Sequence, residues 1–119
     1  MTTFRNAFAG ALIAASPVAA DVTLINLFEV PPGREAETLE AWGAARTFLS
    51  GEPGYIDTTL HRALDPEARY TFINVAHWES AEDFTRAIRR MHAAGVFPQI
   101  EGVVINPALY RAMRRDGAE

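Results

Sequence analysis

Residues 72–84, FINVAHWESAEDF, contain a β-strand followed by the start of a helix. The first seven residues are mostly apolar, aromatic or β-branched, which predicts a strand that covers Arg69–Trp78. Ser80 follows as a helix N-cap, and Asp83 stands three residues later, where it can reach back to the cap. The apolar residues that follow recur at helical spacing and predict a helix with one buried face: Phe84, Ala87, Ile88 and Met91.

The rest of the chain divides into similar elements on either side of this stretch. Before it, we predict a strand over Val22–Val30, a helix over Arg34–Leu49 and a second strand over Tyr55–Leu64, separated by turns rich in proline and glycine. After it, Gly95 is expected to end the second helix. We predict that the last strand covers Ala108–Met113.

A mixed connector, with at most one short turn of helix, is expected over Val96–Asn106. The element order is then β-α-β-β-α-β, which is the split βαβ arrangement of an α+β, ferredoxin-like fold. Two helices cover one face of a four-stranded antiparallel sheet. The first three strands carry apolar residues on both faces, and a large apolar patch usually has a partner. We therefore expect a homodimer in which two sheets pack face to face.

Composition restricts the class of protein further. The chain has 119 residues, of which 49% are hydrophobic and 22% charged, so a single globular domain is expected. The net charge of −4 gives no electrostatic reason to expect a nucleic acid or an anionic membrane as partner. The chain has no cysteine, which excludes disulfides, thiolate nucleophiles, zinc–sulfur sites and iron–sulfur clusters.

The first twenty residues, Met1–Ala20, have the features of a secretory signal. Arg5 precedes an alanine-rich apolar stretch, and the small residues Val18, Ala19 and Ala20 stand before Asp21. The apolar stretch is too short for a permanent membrane span. An uncleaved N-terminal arm is the alternative. We expect a domain over residues 21–119, in the periplasm or secreted if the segment is cleaved and in the cytoplasm otherwise.

Four segments of this domain are similar to the antibiotic biosynthesis monooxygenase family: Val22–Gly33, Gly51–Tyr55, Phe72–Phe84 and Asn106–Tyr110. The resemblance implies the dimeric α/β barrel assembly of two ferredoxin-like chains. Members of the family include oxygenases that oxidise polyketide aromatics without a cofactor, haem-degrading enzymes and proteins of unknown role. The resemblance therefore implies an oxidoreductase, but leaves its substrate open.

The polyketide-oxidising branch has an asparagine four residues before a strand tryptophan, a pair that Asn74 and Trp78 reproduce. It also has a tyrosine and an arginine where this chain has Phe84 and Pro98. The haem-degrading branch has an asparagine seven residues before a glycine, like Asn26 before Gly33. That branch also has a tryptophan and a histidine in and near the second helix. Counted from Trp78, the matching positions of this chain are Ala87 and Phe97.

Three polar side chains are the candidates for catalysis: Asn26, Asn74 and Trp78. Asn74 and Trp78 are four residues apart on one strand and share a face. An amide N–H that lines an apolar pocket can stabilise a developing phenolate without a metal. Each residue also has a purely structural explanation, since a strand asparagine can bond backbone or a buried water and a tryptophan can fill the core. The expected substrate contacts are Phe28, Phe72, Phe84, Ile88 and His92.

The chain has three histidines, and their spacing matches no metal motif, so no metal site is expected. His92 or His77 can serve as an axial ligand if haem binds. Asp57 and His61 on the second strand are expected to form a polar pair. The sequence thus favours a cofactor-independent monooxygenase that acts on a small aromatic or quinol-type compound, and the alternative is a non-catalytic ligand- or haem-binding dimer of the same fold.

Overall fold

The computed structural model describes residues 21–117, so the expected signal segment Met1–Ala20 lies outside the described residues. The elements follow the expected order, and we label them along the chain: β1 (Val22–Glu29), α1 (Glu35–Leu49), β2 (Tyr55–Arg62), β3 (Phe72–Trp78), α2 (Ala81–Ala93) and β4 (Val104–Tyr110). No helix among the described residues is long and apolar enough to cross a membrane.

The four strands form one antiparallel sheet in the order β2-β3-β1-β4, which confirms the ferredoxin-like fold. In the central strand β3, every second residue is buried, from Phe72 through Asn74 and Ala76 to Trp78. These residues belong to the inner face, which packs against the two helices. Successive strand residues point to opposite sides, so the residues between them belong to the outer face.

Helix α2 begins and ends where the sequence predicts, but one part of the predicted cap is wrong. The Ser80 hydroxyl accepts a hydrogen bond from the Asp83 backbone N–H at 3.1 Å. The Asp83 carboxylate accepts from Arg86 at 2.8 Å and not from the Ser80 N–H, because a charged donor one turn ahead binds a carboxylate more strongly. At the other end, Gly95 follows the helix with a φ of +66°, as expected for a terminating glycine.

The predicted boundaries of β4 are wrong. The strand covers Val104–Tyr110 instead of Ala108–Met113, so the expected connector ends earlier. Six of its seven residues are exposed, which removes the alternation that identifies a strand in a sequence. Pro107 is tolerated because β4 lies at the edge of the sheet, where one side of the strand has no ladder partner.

The other three strands are each shorter than predicted at one end. β1 ends at Glu29 rather than Val30, β2 ends at Arg62 rather than Leu64, and β3 begins at Phe72 rather than Arg69. The residues between β2 and β3 form the exposed turn of a hairpin, and Leu64 in this turn is fully exposed. The Ala63 N–H still donates to the Thr71 carbonyl at 2.9 Å, whereas Leu64 extends the apolar pattern in the sequence without pairing in the sheet.

An irregularity at the start of β2 interrupts the alternation of its side chains. Tyr55 pairs with Trp78, whereas the next pair joins Asp57 to His77, so Ile56 is an extra residue in β2. A bulge of this kind shifts the side-chain alternation by one position. Tyr55 therefore packs on the inner face, with its ring 5.5 Å from that of Trp78, whereas regular alternation would place it on the same face as Asp57.

The bulge also explains why the predicted Asp57–His61 pair is wrong. Asp57 lies across from His77 of β3, and its carboxylate is 2.6 Å from the His77 Nδ1. His61 is four pairs further along and lies across from Ile73. Directly opposite cross-strand residues are closer than residues four apart on one strand, so the cross-strand partner is preferred.

Candidate functional site

A cavity of about 570 Å³ lies between the inner face of the sheet and the two helices. Its volume is in the range of pockets that hold small organic molecules. Most of its wall is apolar, with aromatic side chains from both strands and helices. The three predicted catalytic residues, Asn26, Asn74 and Trp78, all line this cavity.

Asn74 lies on the cavity wall in the centre of the sheet and is only 8% exposed. Its Oδ1 accepts a hydrogen bond from Trp42 Nε1 at 3.1 Å and another from Thr58 Oγ1 at 2.8 Å. An indole nitrogen can only donate, so the atom of Asn74 that faces Trp42 must be the oxygen. The orientation of the amide is therefore determined by its neighbours.

This orientation leaves the Nδ2 group of Asn74 available for a ligand. Nδ2 donates to no protein group among residues 21–117, while both donors to the amide act on Oδ1. Hydrogen bonds in a chain polarise one another, and donors to an amide oxygen make the amide N–H groups more acidic. Asn74 can thus present a fixed and strengthened donor to a polar atom in an apolar cavity.

Asn26 lies directly across from Asn74 in the β1–β3 ladder. Its Oδ1 accepts a hydrogen bond from the Asn106 backbone N–H at 3.1 Å, and the Asn106 side chain donates to the Leu27 carbonyl at 3.1 Å. Asn26 therefore helps to fasten the edge strand β4 to β1. This contact uses the Oδ1 of Asn26. The Asn26 amide lies on the same side of the sheet as Asn74, on the cavity wall.

Trp78 is 1% exposed and packs between two other rings. Its ring centroid is 5.5 Å from that of Tyr55 and 5.6 Å from that of Phe84, and both contacts are edge-to-face. Aromatic pairs in this geometry stabilise the core beyond the area that they bury. Trp78 therefore forms a rigid aromatic part of the cavity wall.

Four of the five expected substrate contacts line the cavity, and the fifth does not. Phe28, Phe84, Ile88 and His92 are on the wall. Phe72 lies behind it, 1% exposed, with its ring edge-to-face to Phe28 at 6.5 Å. On its other side, the Arg62 guanidinium lies 5.1 Å from the Phe72 ring centre. Phe72 therefore supports Phe28 rather than the cavity surface.

Most of the wall residues were not expected from the sequence as parts of the site, and four of them matter for its chemistry or shape: Trp42, Arg46, Thr58 and Phe97. Trp42 and Arg46 are on the inward stripe of α1, where helical spacing predicts core packing and gives no sign of a hydrogen bond to β3. Thr58 lies across from the buried Ala76 on the inner face of β2, and a polar residue in a strand that covers a core was the available signal. Phe97 stacks on Phe28 at 6.5 Å with an interplanar angle of 19°.

The three histidines are separated by the sheet. His92, in the last turn of α2, is exposed and lines the cavity. His77 is absent from the cavity wall and contacts Asp57 on the outer face, so the expectation that it can bind a haem in this cavity is wrong. Within residues 21–117, no group of three metal-binding side chains is found.

Comparison with known proteins places these features in context. A model of the family described as antibiotic biosynthesis monooxygenase matches residues 21–94. A candidate monooxygenase from Shewanella loihica PV-4 has a similar structure, with a TM-score of 0.73 and 45% identity over 81% of this chain and 97% of that chain. No curated protein sequence matches the chain significantly.

Two more distant structures share the fold. SnoaB, a cofactor-independent oxygenase from Streptomyces nogalater, is 24% identical over 82% of this chain and 97% of its own, with a TM-score of 0.65. The haem degrader MhuD of Mycobacterium tuberculosis, with two haems bound in its active site, is 21% identical over 81% of this chain and 99% of its own, with a TM-score of 0.59.

Proposed function

The chain belongs to the antibiotic biosynthesis monooxygenase family, and on this basis we propose that it is a cofactor-independent monooxygenase for a small aromatic or quinol-type compound. The observation that carries the proposal is the Asn74 amide. Its oxygen is held by Trp42 and Thr58, and its nitrogen has no protein partner among the described residues. Such a donor suits the oxygen of a phenol that must ionise before it reacts.

The reaction begins when the phenol transfers its proton to a solvent water, which returns a proton when the peroxide is cleaved. The Asn74 Nδ2–H stabilises the resulting phenolate, and the apolar wall around it strengthens that hydrogen bond. Ionisation makes the ring carbon opposite the hydroxyl electron-rich, so the substrate itself can pass an electron to dioxygen. The flat rings of Trp78 and Phe84 hold an aromatic substrate in place while oxygen approaches.

The reaction is balanced without an external reductant. Superoxide recombines with the ring radical and forms a carbon–oxygen bond to a peroxide. Cleavage of the O–O bond leaves one oxygen on the ring as a carbonyl, and the other leaves as water with the hydrogen of that carbon and the phenol proton. One phenol and one dioxygen thus give one quinone and one water.

The test is incubation with 1,8-dihydroxyanthrone in air. Oxygen uptake measures the dioxygen consumed, the absorption spectrum measures the quinone formed, and ¹⁸O₂ shows how much of its oxygen enters the product. We expect one dioxygen consumed per quinone formed, with one labelled oxygen in the product. Asn74→Asp keeps an acceptor for Trp42 and Thr58 but removes the N–H donor, and we expect its kcat to fall about 100-fold, as for loss of an oxyanion donor. Unchanged turnover in Asn74→Asp, with a native near-UV spectrum, contradicts the proposal.

A second copy of the chain is proposed as the cover of the outer sheet face. Both helices lie on the inner face, and the central strands present half-buried apolar side chains outward: Ile25, Leu27, Ile73 and Val75. On this face the Asp57 carboxylate lies 2.6 Å from the His77 Nδ1, so it has a hydrogen-bonding partner within the same sheet. A twofold interface places the same patch of both subunits together, so the apolar patch of a second copy can cover this one.

Haem binding is a second candidate function, supported by the position of His92 on the cavity wall. The imidazole of His92 would bind the iron, the aromatic pair Phe28 and Phe97 would contact the porphyrin, and the haem would supply a site for oxygen activation. A hemin titration followed by the Soret band tests this function. We expect His92→Ala to remove the band shift and His61→Ala, an exposed control on β2, to keep it. An equal response of both variants contradicts the role of His92.

For the N-terminal segment, we propose cleavage before Asp21 and export of the mature domain. Intact-mass measurement of the protein recovered from a bacterial periplasmic fraction tests this proposal. The expected mass is that of residues 21–119. Recovery of the full-length mass from the cytosol contradicts it.

A further inference from the structure

The charges around the cavity are unusual for this protein. The chain has 15 acidic residues among 119, yet no aspartate or glutamate lies on the cavity wall among the described residues. The wall has one arginine, Arg46, and one histidine, His92, and both are exposed. These side chains therefore lie where the cavity opens to solvent, and the formal charge at the opening is positive in a protein of negative net charge.

Arg46 also differs from the arginines in ion pairs. Five other arginines each have a carboxylate within 4.0 Å: Arg34, Arg62, Arg69, Arg86 and Arg90. Among residues 21–117, Arg46 has no such partner. Arg46 is in the last turn of α1, where a positive charge interacts favourably with the helix dipole. That interaction explains a basic residue at this position, but not the absence of acidic partners around the cavity.

The position of Arg46 relates it to the Asn74 amide. Arg46 follows Trp42 by four residues on α1, so the two side chains are neighbours on one helix face, with Cβ atoms about 6 Å apart. Trp42 Nε1 is in turn 3.1 Å from the Asn74 Oδ1. A ligand that reaches from Asn74 along Trp42 to the opening therefore has a polar donor at its inner end and a guanidinium at its outer end.

We propose that the natural ligand of this cavity is an aromatic carboxylate, whose ring hydroxyl meets Asn74 and whose carboxylate binds Arg46. The inference rests on the proposed function because it assigns the substrate class of the same site. A guanidinium binds a carboxylate through two parallel hydrogen bonds. The apolar wall beside it reduces solvent screening, and the lack of acidic neighbours leaves the full charge for the ligand.

A matched pair of compounds tests the inference: 1,4-dihydroxy-2-naphthoate and its uncharged 2-carboxamide. Their affinities are measured by calorimetry without oxygen, so that binding is separated from turnover. We expect the wild type to bind the carboxylate about tenfold more tightly than the carboxamide at low salt, with a smaller difference at 0.5 M salt. Arg46→Gln is expected to remove the preference. Arg46→Lys is expected to keep part of it, because lysine retains the positive charge but cannot donate two parallel hydrogen bonds to a carboxylate.

Arg89→Gln is the control, because Arg89 is an exposed arginine of α2 that is absent from the cavity wall. It should keep the preference for the carboxylate. Equal affinity of the wild type for both compounds overturns the inference, and so does a preference that persists in Arg46→Gln. The same preparations are then given oxygen. If the protein prefers the carboxylate but consumes no oxygen, the proposed monooxygenase function is wrong and the proposed carboxylate site at Arg46 is retained. If it oxidises the compounds without preferring the carboxylate, the carboxylate site is wrong and the monooxygenase function is retained. Failure to bind either compound overturns both.

Discussion

The Trp42 indole nitrogen lies 3.1 Å from the Oδ1 of Asn74 and connects α1 to the central strand β3 across 32 residues of chain. The contact fixes which end of the amide faces the cavity, since the indole can only donate. It also gives Trp42 a role that differs from core packing, because the residue is only partly buried.

Trp42→Phe removes the N–H and keeps an aromatic ring of similar shape. We expect kcat to fall about tenfold with little change in KM, because a misoriented or less polarised amide affects the phenolate more than the neutral substrate. Steady-state oxygen uptake measures this effect. In an Asn74→Ala background, Trp42→Phe should cause no further loss of kcat, since both changes act through one group. A full additional loss contradicts the role of Trp42.

Thr58→Val removes the second donor to Asn74 Oδ1, which lies at 2.8 Å. We expect a threefold to tenfold loss of kcat, or about 1 kcal/mol, as for one neutral hydrogen bond. Thr59→Val is the same change on the next residue, on the opposite face of β2, and should leave kcat unchanged. If both variants lose activity equally, the effect comes from the strand and not from the hydrogen bond.

Val75→Glu places a charge in the middle of the outer sheet face. Because a dimer with packed sheets would bury two such charges, we expect the dissociation constant to rise at least about 100-fold. Light scattering after size exclusion measures the change as a shift from dimer to monomer mass. Ala44→Glu adds the same charge at an exposed position of α1 and should remain dimeric. A monomeric wild type, or a dimeric Val75→Glu, contradicts the proposed assembly.

Gly54→Ala tests a close contact between the turn before β2 and the start of α2. Gly54 has a φ of +91°, and a Cβ there would overlap the Asp83 side chain. We expect a loss of about 3 kcal/mol in the free energy of unfolding from backbone strain and overlap together. Gly33→Ala has a similar φ of +89° but open space around it, and should lose about 1 kcal/mol. Urea denaturation measures both losses, and equal losses exclude a contribution from the overlap.

The fold and much of the site could be predicted because local patterns determine them. Alternation in β3 and helical spacing in α2 are properties of adjacent residues, and both elements lie where they were predicted to within a few residues. The β4 boundaries could not be predicted, since an exposed edge strand has no apolar alternation and is defined by its pairing with β1. The bulge at Ile56 was also missed, because one extra residue changes the register without changing the composition of the strand.

That Asn74 and Trp78 share one face of a strand follows from the amino-acid sequence alone, because side chains in a strand repeat every two residues. What each side chain does on that face depends on contacts with other elements of the fold. Asn74 is oriented by Trp42 and Thr58, residues 32 and 16 positions away, whereas Trp78 packs between two rings. Hydrogen bonds between separate elements depend on the three-dimensional packing of α1, β2 and β3, and no local sequence pattern encodes that distance.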